Sequence, residues 1–266
     1  MQEKDKIPFT DHLEELRKRL IICIVAVIVG FIVSYCFKEW LFKFLTYPLI
    51  SAMKPGENLI YTNLPEAFFT YLRVALLAGI VLAAPVILYQ FWMFVAPGLY
   101  HKERRMLGPI LFFSVLFFIG GAVFGYVVVF PLGFHFFLSF ATDTIRPLPT
   151  MSEYLSLAST FLLAFGLVFE LPLVIVFFVK LGIISIDFLT KNRKYAILVC
   201  FIVAAILTPP DVVSQTLMAV PMVALYEIGI IGARIFASKK PAEDIPEADI
   251  PEHNEEHESG EDNTET

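Results

Sequence analysis

Glu170 interrupts residues 154–179, a stretch that carries no other charge. Placing a carboxylate inside a membrane costs several kcal/mol, so such an acid is by default a candidate functional group. On a helix of about 100° per residue, small and polar residues share its face: Ser152, Ser156, Ser159 and Gly166. Phe161 and Phe165 fall on the opposite half, which we expect to face lipid. We therefore predict that Glu170 faces a small polar seam, as an ionisable functional group or as a neutral group in helix packing.

Glu15 lies in a second stretch whose side chains could bind a ligand, residues 11–20. The pattern of this stretch predicts an amphipathic helix at a membrane interface. Glu15 points into the polar half of this helix, toward water or a ligand. Bases lie four residues beyond the two adjacent acids, so that Glu14 can pair with Lys18, and Glu15 with Arg19. Spacing alone favours these salt bridges over a ligand-binding role.

Three other charges near apolar runs favour structural roles on spacing alone. Glu103 lies in the charged cluster 100–105, just after a Pro–Gly turn, where a solvated charge is expected. Glu227 is expected to pair with a neighbouring group, and Arg73 to extend toward the membrane surface.

The cysteines and histidines suggest no reactive site. Cys23, Cys36 and Cys200 lie inside or at the ends of apolar runs and form no C-x-x-C pair, which is typical of small apolar residues in helices. The five histidines are scattered, with no pair at helical spacing. We therefore expect no enzyme activity, no metal site and no cofactor.

The elements that must position these residues are membrane helices. The 266-residue chain is 57% apolar, only 17% charged and has a mean hydropathy of +0.71, against about 45–50% apolar and 25% charged in soluble domains. This composition excludes a water-soluble globular enzyme. Six apolar runs are predicted to span the membrane: 21–37, 74–95, 107–130, 154–179, 195–208 and 212–233.

Two of these spans have unusual ends. We expect the third to end at Pro131 and to leave residues 131–140 at an interface. The fifth is short, because 14 helical residues reach only about 21 Å, below the hydrocarbon thickness of about 30 Å.

The distribution of Lys and Arg predicts the orientation. Fifteen lie in the N-terminal segment, the second and fourth loops and the C-terminal segment, against four in the remaining loops. By the positive-inside rule, both termini are therefore cytoplasmic. We expect three regions: a cytoplasmic segment with an interfacial helix (1–20), a six-helix transmembrane domain (21–235) and a disordered acidic tail (236–266), in which 11 of the 26 acids fall within 243–266.

Four stretches give the chain a specific resemblance. They are His12–Leu20, the run from Ala84 through Ala96-Pro-Gly-Leu-Tyr to Glu103-Arg104-Arg105, Phe165-Gly-Leu-Val-Phe-Glu-Leu-Pro172, and Leu207-Thr-Pro-Pro-Asp-Val-Val-Ser-Gln-Thr. Together they closely resemble the TatC family of twin-arginine protein translocase subunits over roughly residues 8–235. The resemblance implies a six-helix, kinked, glove-shaped membrane protein of the bacterial inner membrane. Such a protein recognises signal peptides with paired arginines and, with TatA and TatB, exports folded proteins using the proton-motive force.

The resemblance also implies roles for particular residues. Glu15 and Glu103 match the cytoplasmic acids that receive the twin arginines, which reverses the preference from spacing. Arg17 and Phe94 match other positions of that region. Glu170 matches the buried acid of the concave side, and the external turn contains the matching Asp211. The implied partners are TatA, TatB, signal peptides of folded cargo, membrane lipid and further copies of the chain, with no nucleic acid.

The alternative from the residues alone is a proton-coupled small-solute transporter, with Glu170 as its proton carrier. A repeat between two three-helix halves would favour it, but Glu170 has no counterpart in the first half.

Overall fold

The computed structural model describes residues 9–54, 58–95, 107–142 and 147–237, and these residues are built from α-helices. In chain order the helices are α1 (Phe9–Cys36), α2 (Lys38–Ala52), α3 (Glu66–Val95), α4 (Leu107–Phe124), α5 (Phe130–Leu138), α6 (Met151–Val168), α7 (Leu171–Lys180), α8 (Ile186–Lys191), α9 (Arg193–Leu207) and α10 (Val212–Ala237). Within these residues, β-structure is limited to an isolated bridge between Ile60 and Thr150. The predicted all-α membrane fold is confirmed.

Within the described residues, five helical stretches are long and apolar enough to cross a membrane: Leu13–Cys36, Glu66–Val95, Gly108–Leu138, Met151–Lys180 and Val212–Phe236. The remaining predicted span, the fifth, is α9, whose 15 residues reach only about 22 Å. The prediction that this helix is unusually short is confirmed. α1 is continuous from Phe9, so the proposed interfacial segment and the first span form one helix.

α1 packs against α3 through a contact between backbones. A Cβ on Gly30 would lie 2.5 Å from the carbonyl oxygen of Gly79, and one on Gly79 would lie 2.6 Å from the nitrogen of Phe31. The absence of side chains at both glycines lets the two helices touch, as small residues commonly do between membrane helices. This contact positions the start of α1 against the end of α3.

The third span does not end at Pro131, so the predicted end of that helix was wrong. A π-helical turn, Gly125–Val129, joins α4 to α5, and α5 continues through Pro131 to Leu138. The N–H of Phe130 donates to the carbonyl of Gly125, five residues back. Pro131 then lies in the first turn of α5, where its missing N–H costs little.

Phe161 and Phe165 are 5% and 0% exposed, so the prediction that they face lipid was wrong. They pack against the third span: the ring of Phe161 contacts Phe130, and Phe165 closely approaches Gly121, where an added Cβ would overlap its carbonyl oxygen. The prediction failed because a helical projection shows which residues share a face but not what that face packs against, and this face of α6 packs on the third span.

α2 is an aromatic-rich helix bound to the third and fourth spans by tyrosine hydroxyls. Tyr126 donates to the carbonyl of Phe44 at 2.6 Å, and Tyr154 donates to that of Leu45 at 2.5 Å. Trp40 remains exposed, which fits the aromatic belt expected where this segment meets the interface.

α10 holds the C-terminal helices together. Tyr226 donates to the carbonyl of Leu189 at 2.9 Å, and Gly229 lets α10 approach Pro172 at the start of α7. Glu227 pairs with Arg193 at 2.9 Å, which confirms the structural role expected for it.

Candidate functional site

Glu15 is held at one end of the bundle, where α1 begins and α3 ends. Arg19 donates from Nε and Nη2 to Oε1 of Glu15, at 2.9 and 2.5 Å. Its third nitrogen, Nη1, donates to Oε1 of Gln90 on α3 at 3.0 Å. The side chains of Arg19 and Glu15 are 18% and 34% exposed, so the pair is partly desolvated. A carboxylate that binds the guanidinium of Arg19 here is chemically suited to bind another guanidinium in its place.

Both salt bridges expected from spacing are present. Lys18 contacts Glu14 at 2.8 Å, and these two side chains are 71% and 63% exposed. The two bridges therefore differ in environment, because only Arg19 reaches across to α3. Exposed pairs at this spacing contribute little to stability, because water screens them.

Two other predicted residues of this region lie close in sequence to the triad of Glu15, Arg19 and Gln90. Arg17 is exposed on α1. Phe94 is half-buried on α3, one helical turn beyond Gln90 and hence on the same face. Glu103 lies outside the described residues, so its predicted role stays a prediction.

Glu170 lies in the turn between α6 and α7 and is 5% exposed. Its Oε2 accepts a hydrogen bond from Ser114 of α4 at 2.5 Å, and Ser114 in turn accepts one from the indole N–H of Trp92 at 2.9 Å. Oε1 is buried without a hydrogen-bond partner among the described residues. Three spans therefore meet at this carboxylate.

The polar seam predicted around Glu170 is largely absent, because its hydrogen bond comes from another helix. Ser156 is exposed, and Gly166 packs against the ring of Phe118. Sequence reasoning missed Ser114 and Trp92. The available signal was that Ser114 is the hydroxyl-bearing residue of an otherwise apolar α4, although no local pattern links it to Glu170.

Asp211 begins the turn into α10 and caps that helix. Its Oδ1 accepts from the N–H of Ser214 at 2.7 Å, which satisfies one of the free donors of the first helical turn. Its Oδ2 is buried without a partner among the described residues. Gln215, one turn later, donates to the carbonyl of Phe201 at 3.1 Å and joins α10 to α9.

Glu66 was also missed by sequence reasoning, and it joins α3 to α6 at the opposite end from Glu15. It is 9% exposed. Its carboxylate accepts from the backbone N–H groups of Thr62, Asn63 and Ser152 at 2.7, 3.3 and 3.0 Å. Arg73 donates to the Ser152 hydroxyl at 3.1 Å. This cluster is a structural clamp between two spans.

Comparison with known proteins gives one consistent family. The family model described as "Sec-independent protein translocase protein (TatC)" matches residues 11–221. A TatC protein of Desulforapulum autotrophicum is 58% identical over 243 residues, which cover 91% of this chain and 90% of the relative. That of Escherichia coli K12 is 42% identical, covering 90% and 93%. A crystal structure of the twin-arginine translocase receptor TatC superposes with a TM-score of 0.76 at 38% identity, covering 85% of this chain and 99% of that one.

Proposed function

Because this chain belongs to the TatC family of Sec-independent protein translocase proteins, we propose that it is the signal-peptide receptor of a twin-arginine translocase. In this role it binds signal peptides that carry paired arginines and, with TatA and TatB, exports folded proteins using the proton-motive force. The chain is an integral membrane protein. We further propose that it resides in the bacterial inner membrane as several copies per complex, with both termini cytoplasmic and an acidic tail after residue 235.

The observation that supports the recognition proposal most directly is the contact between the guanidinium of Arg19 and the carboxylate of Glu15. Two nitrogens of Arg19 converge on one carboxylate oxygen, in a partly buried place beside α3. An arginine side chain from a peptide would present the same donor geometry. Glu15 and Glu103 are proposed as the two acceptors, with Arg17 and Phe94 shaping the surface around them.

These acceptors account for specificity rather than for the whole affinity. Hydrogen bonds to charged groups contribute about 1.5–3 kcal/mol each, whereas micromolar binding needs roughly 8 kcal/mol. The apolar stretch of a signal peptide, lying against the membrane helices, is the natural source of the remainder.

Glu170 is proposed to act inside the membrane, apart from recognition of the arginines. Its buried and unpartnered Oε1 gives the apolar layer a polar point where a helix of TatA or TatB can dock, or where the barrier is locally weakened. Asp211 is proposed to keep the turn between α9 and α10 in place by capping α10.

The recognition proposal is tested by binding a fluorescent twin-arginine peptide to the full-length protein in lipid nanodiscs. Glu15→Gln and Glu103→Gln should each weaken binding, and the double variant should weaken it further. Glu14→Gln is the matched control, because Glu14 has a similar i,i+4 partner but is far more exposed. Unchanged affinity in the double variant would contradict the proposal.

A further inference from the structure

Arg19 occupies the carboxylate to which the proposed function assigns the incoming arginines. Both the internal and the incoming group are guanidinium ions, and Arg19 directs two of its nitrogens to Oε1 of Glu15. The pair between Arg19 and Glu15 is locally neutral, and within residues 14–19 three bases outnumber two acids. An arriving cation therefore meets no free negative charge at Glu15 unless Arg19 gives way.

We propose that Arg19, anchored by Gln90, is an internal competitor of the signal peptide: it must leave Glu15 before an incoming cation can bind, and it thereby lowers the affinity of the site. The proposal rests on the proposed function of Glu15 as an acceptor of signal arginines. It assigns a role to two residues, Arg19 and Gln90, that are otherwise only neighbours of that site.

The Glu15 carboxylate itself favours arginine over lysine, whichever of the two displaces Arg19. Arg19 gives the carboxylate two N–H donors from one planar group. A peptide arginine can supply the same pair, so the exchange conserves hydrogen bonds. A lysine ammonium acts as a compact point charge and cannot reproduce the planar fork, so its exchange loses part of the contact.

Gln90 keeps the competitor in place during the exchange. Its amide oxygen accepts from Nη1, the nitrogen of Arg19 that does not contact Glu15. Arg19 can therefore leave Glu15 and still be tethered to α3. This anchor also distinguishes Arg19 from Lys18, whose salt bridge is solvated.

The test measures the affinities of two fluorescent peptides that differ only in Arg-Arg against Lys-Lys, using the full-length protein in nanodiscs. Arg19→Met should tighten binding of the Arg-Arg peptide about three- to tenfold, the range set by loss of one partly buried ion pair. Binding of the Lys-Lys peptide should tighten by the same factor, because both peptides displace the same competitor, so the ratio of the two affinities should stay unchanged. Lys18→Met is the charge-matched control and should change both affinities slightly and equally.

A second pair of variants tests whether Arg19 acts through Glu15. In a Glu15→Gln background, Arg19→Met should give no gain for either peptide. Gln90→Met retains every charge, removes the hydrogen bond that anchors Arg19, and should tighten binding of both peptides in the same direction as Arg19→Met. If the Arg19→Met protein does not fold, Gln90→Met still tests the proposal.

Three results would overturn the proposal: weaker Arg-Arg binding in Arg19→Met, identical effects of Arg19→Met and Lys18→Met, or unchanged affinities in Gln90→Met. Failure of the proposed function gives a different result. In that case the wild-type protein would not discriminate between the peptides, and Glu15→Gln would leave both affinities unchanged.

Discussion

At the scale of single residues, buried polar groups are the points where this apolar molecule is most specific. Ser114 is fully buried and makes two hydrogen bonds at once, receiving the indole N–H of Trp92 and donating to Glu170. Because its neighbours are apolar, neither Trp92 nor Glu170 has water as a ready substitute. Loss of one hydroxyl would therefore leave polar atoms on two other helices without a partner.

We predict that Ser114→Ala lowers stability by about 1–3 kcal/mol, the cost of leaving buried donors and acceptors unsatisfied. The measurement is thermal unfolding of the detergent-solubilised protein. Ser139→Ala is the control, because the Ser139 hydroxyl is exposed and bonds only within its own helical turn. Equal stability of the two variants would contradict the importance assigned to the Ser114 bridge.

Substitutions of Glu170 separate polarity from ionisation. Glu170→Gln preserves size and hydrogen bonding, whereas Glu170→Leu removes both. If polarity alone matters, transport of a twin-arginine reporter should persist in the Gln variant and be lost in the Leu variant. If a proton must be exchanged, both should fail. Normal transport together with normal crosslinking to TatA and TatB in the Leu variant would reduce Glu170 to a residue of helix packing.

At the scale of secondary-structure elements, glycines determine where the helices approach each other most closely. Gly30 and Gly79 bring α1 onto α3, and Gly229 brings α10 onto the start of α7. In a membrane, the hydrophobic effect contributes little to helix association, so close packing of this kind contributes a larger share of the stability.

The same substitution at two glycines tests this packing. Gly79→Ala places a Cβ 2.6 Å from the backbone nitrogen of Phe31, so α1 must move away, at an expected cost of about 1–3 kcal/mol. Gly120→Ala is the matched control, since nothing lies within 4 Å of its Cβ. Thermal unfolding should show a clear loss for the first and none for the second. Displacement of α1 should also weaken peptide binding at Glu15, and equal behaviour of both variants would exclude a packing role for Gly79.

The elements also show what sequence can and cannot reveal. Long apolar runs identified the spans, because hydropathy is a local property, and i,i+4 spacing identified the pairs of Glu14 and Glu15. The hydrogen bond between Ser114 and Glu170 joins residues 56 apart on different helices, so no periodicity could show it. The π-helical turn and the interruption after α6 each precede a proline in the first turn of the next helix, Pro131 and Pro172. A proline in an apolar run indicates an irregularity, but the sequence does not specify whether the helix ends, bends or continues there.

At the scale of the whole molecule, the bundle has two chemically different ends. One carries the basic start of α1 and the end of α3. The opposite end carries α2 and the Glu66 clamp, where α3 is fastened to the first turn of α6. The charge asymmetry predicts that the basic end faces the cytoplasm.

This orientation is checked by labelling single cysteines in intact cells, in a background from which Cys23, Cys36 and Cys200 have been removed. A cysteine at Leu64, which is 93% exposed near the Glu66 clamp, should react with a membrane-impermeant maleimide from outside. A cysteine at Lys18, exposed at the opposite end, should react only after permeabilisation. The reverse pattern would show that the positive-inside rule fails for this chain.

α3 carries contacts to both proposed sites within three residues, because Gln90 binds Arg19 while Trp92 binds Ser114. Side chains two positions apart on a helix point in nearly opposite directions. A small rotation of α3 about its axis that moves the amide of Gln90 away from α1 would therefore also move the indole of Trp92 relative to α4. The glycine contact with α1 leaves little space for α3 to tilt toward that helix. Rotation of α3 about its own axis would therefore couple the contact of Gln90 with α1 to the contact of Trp92 with α4.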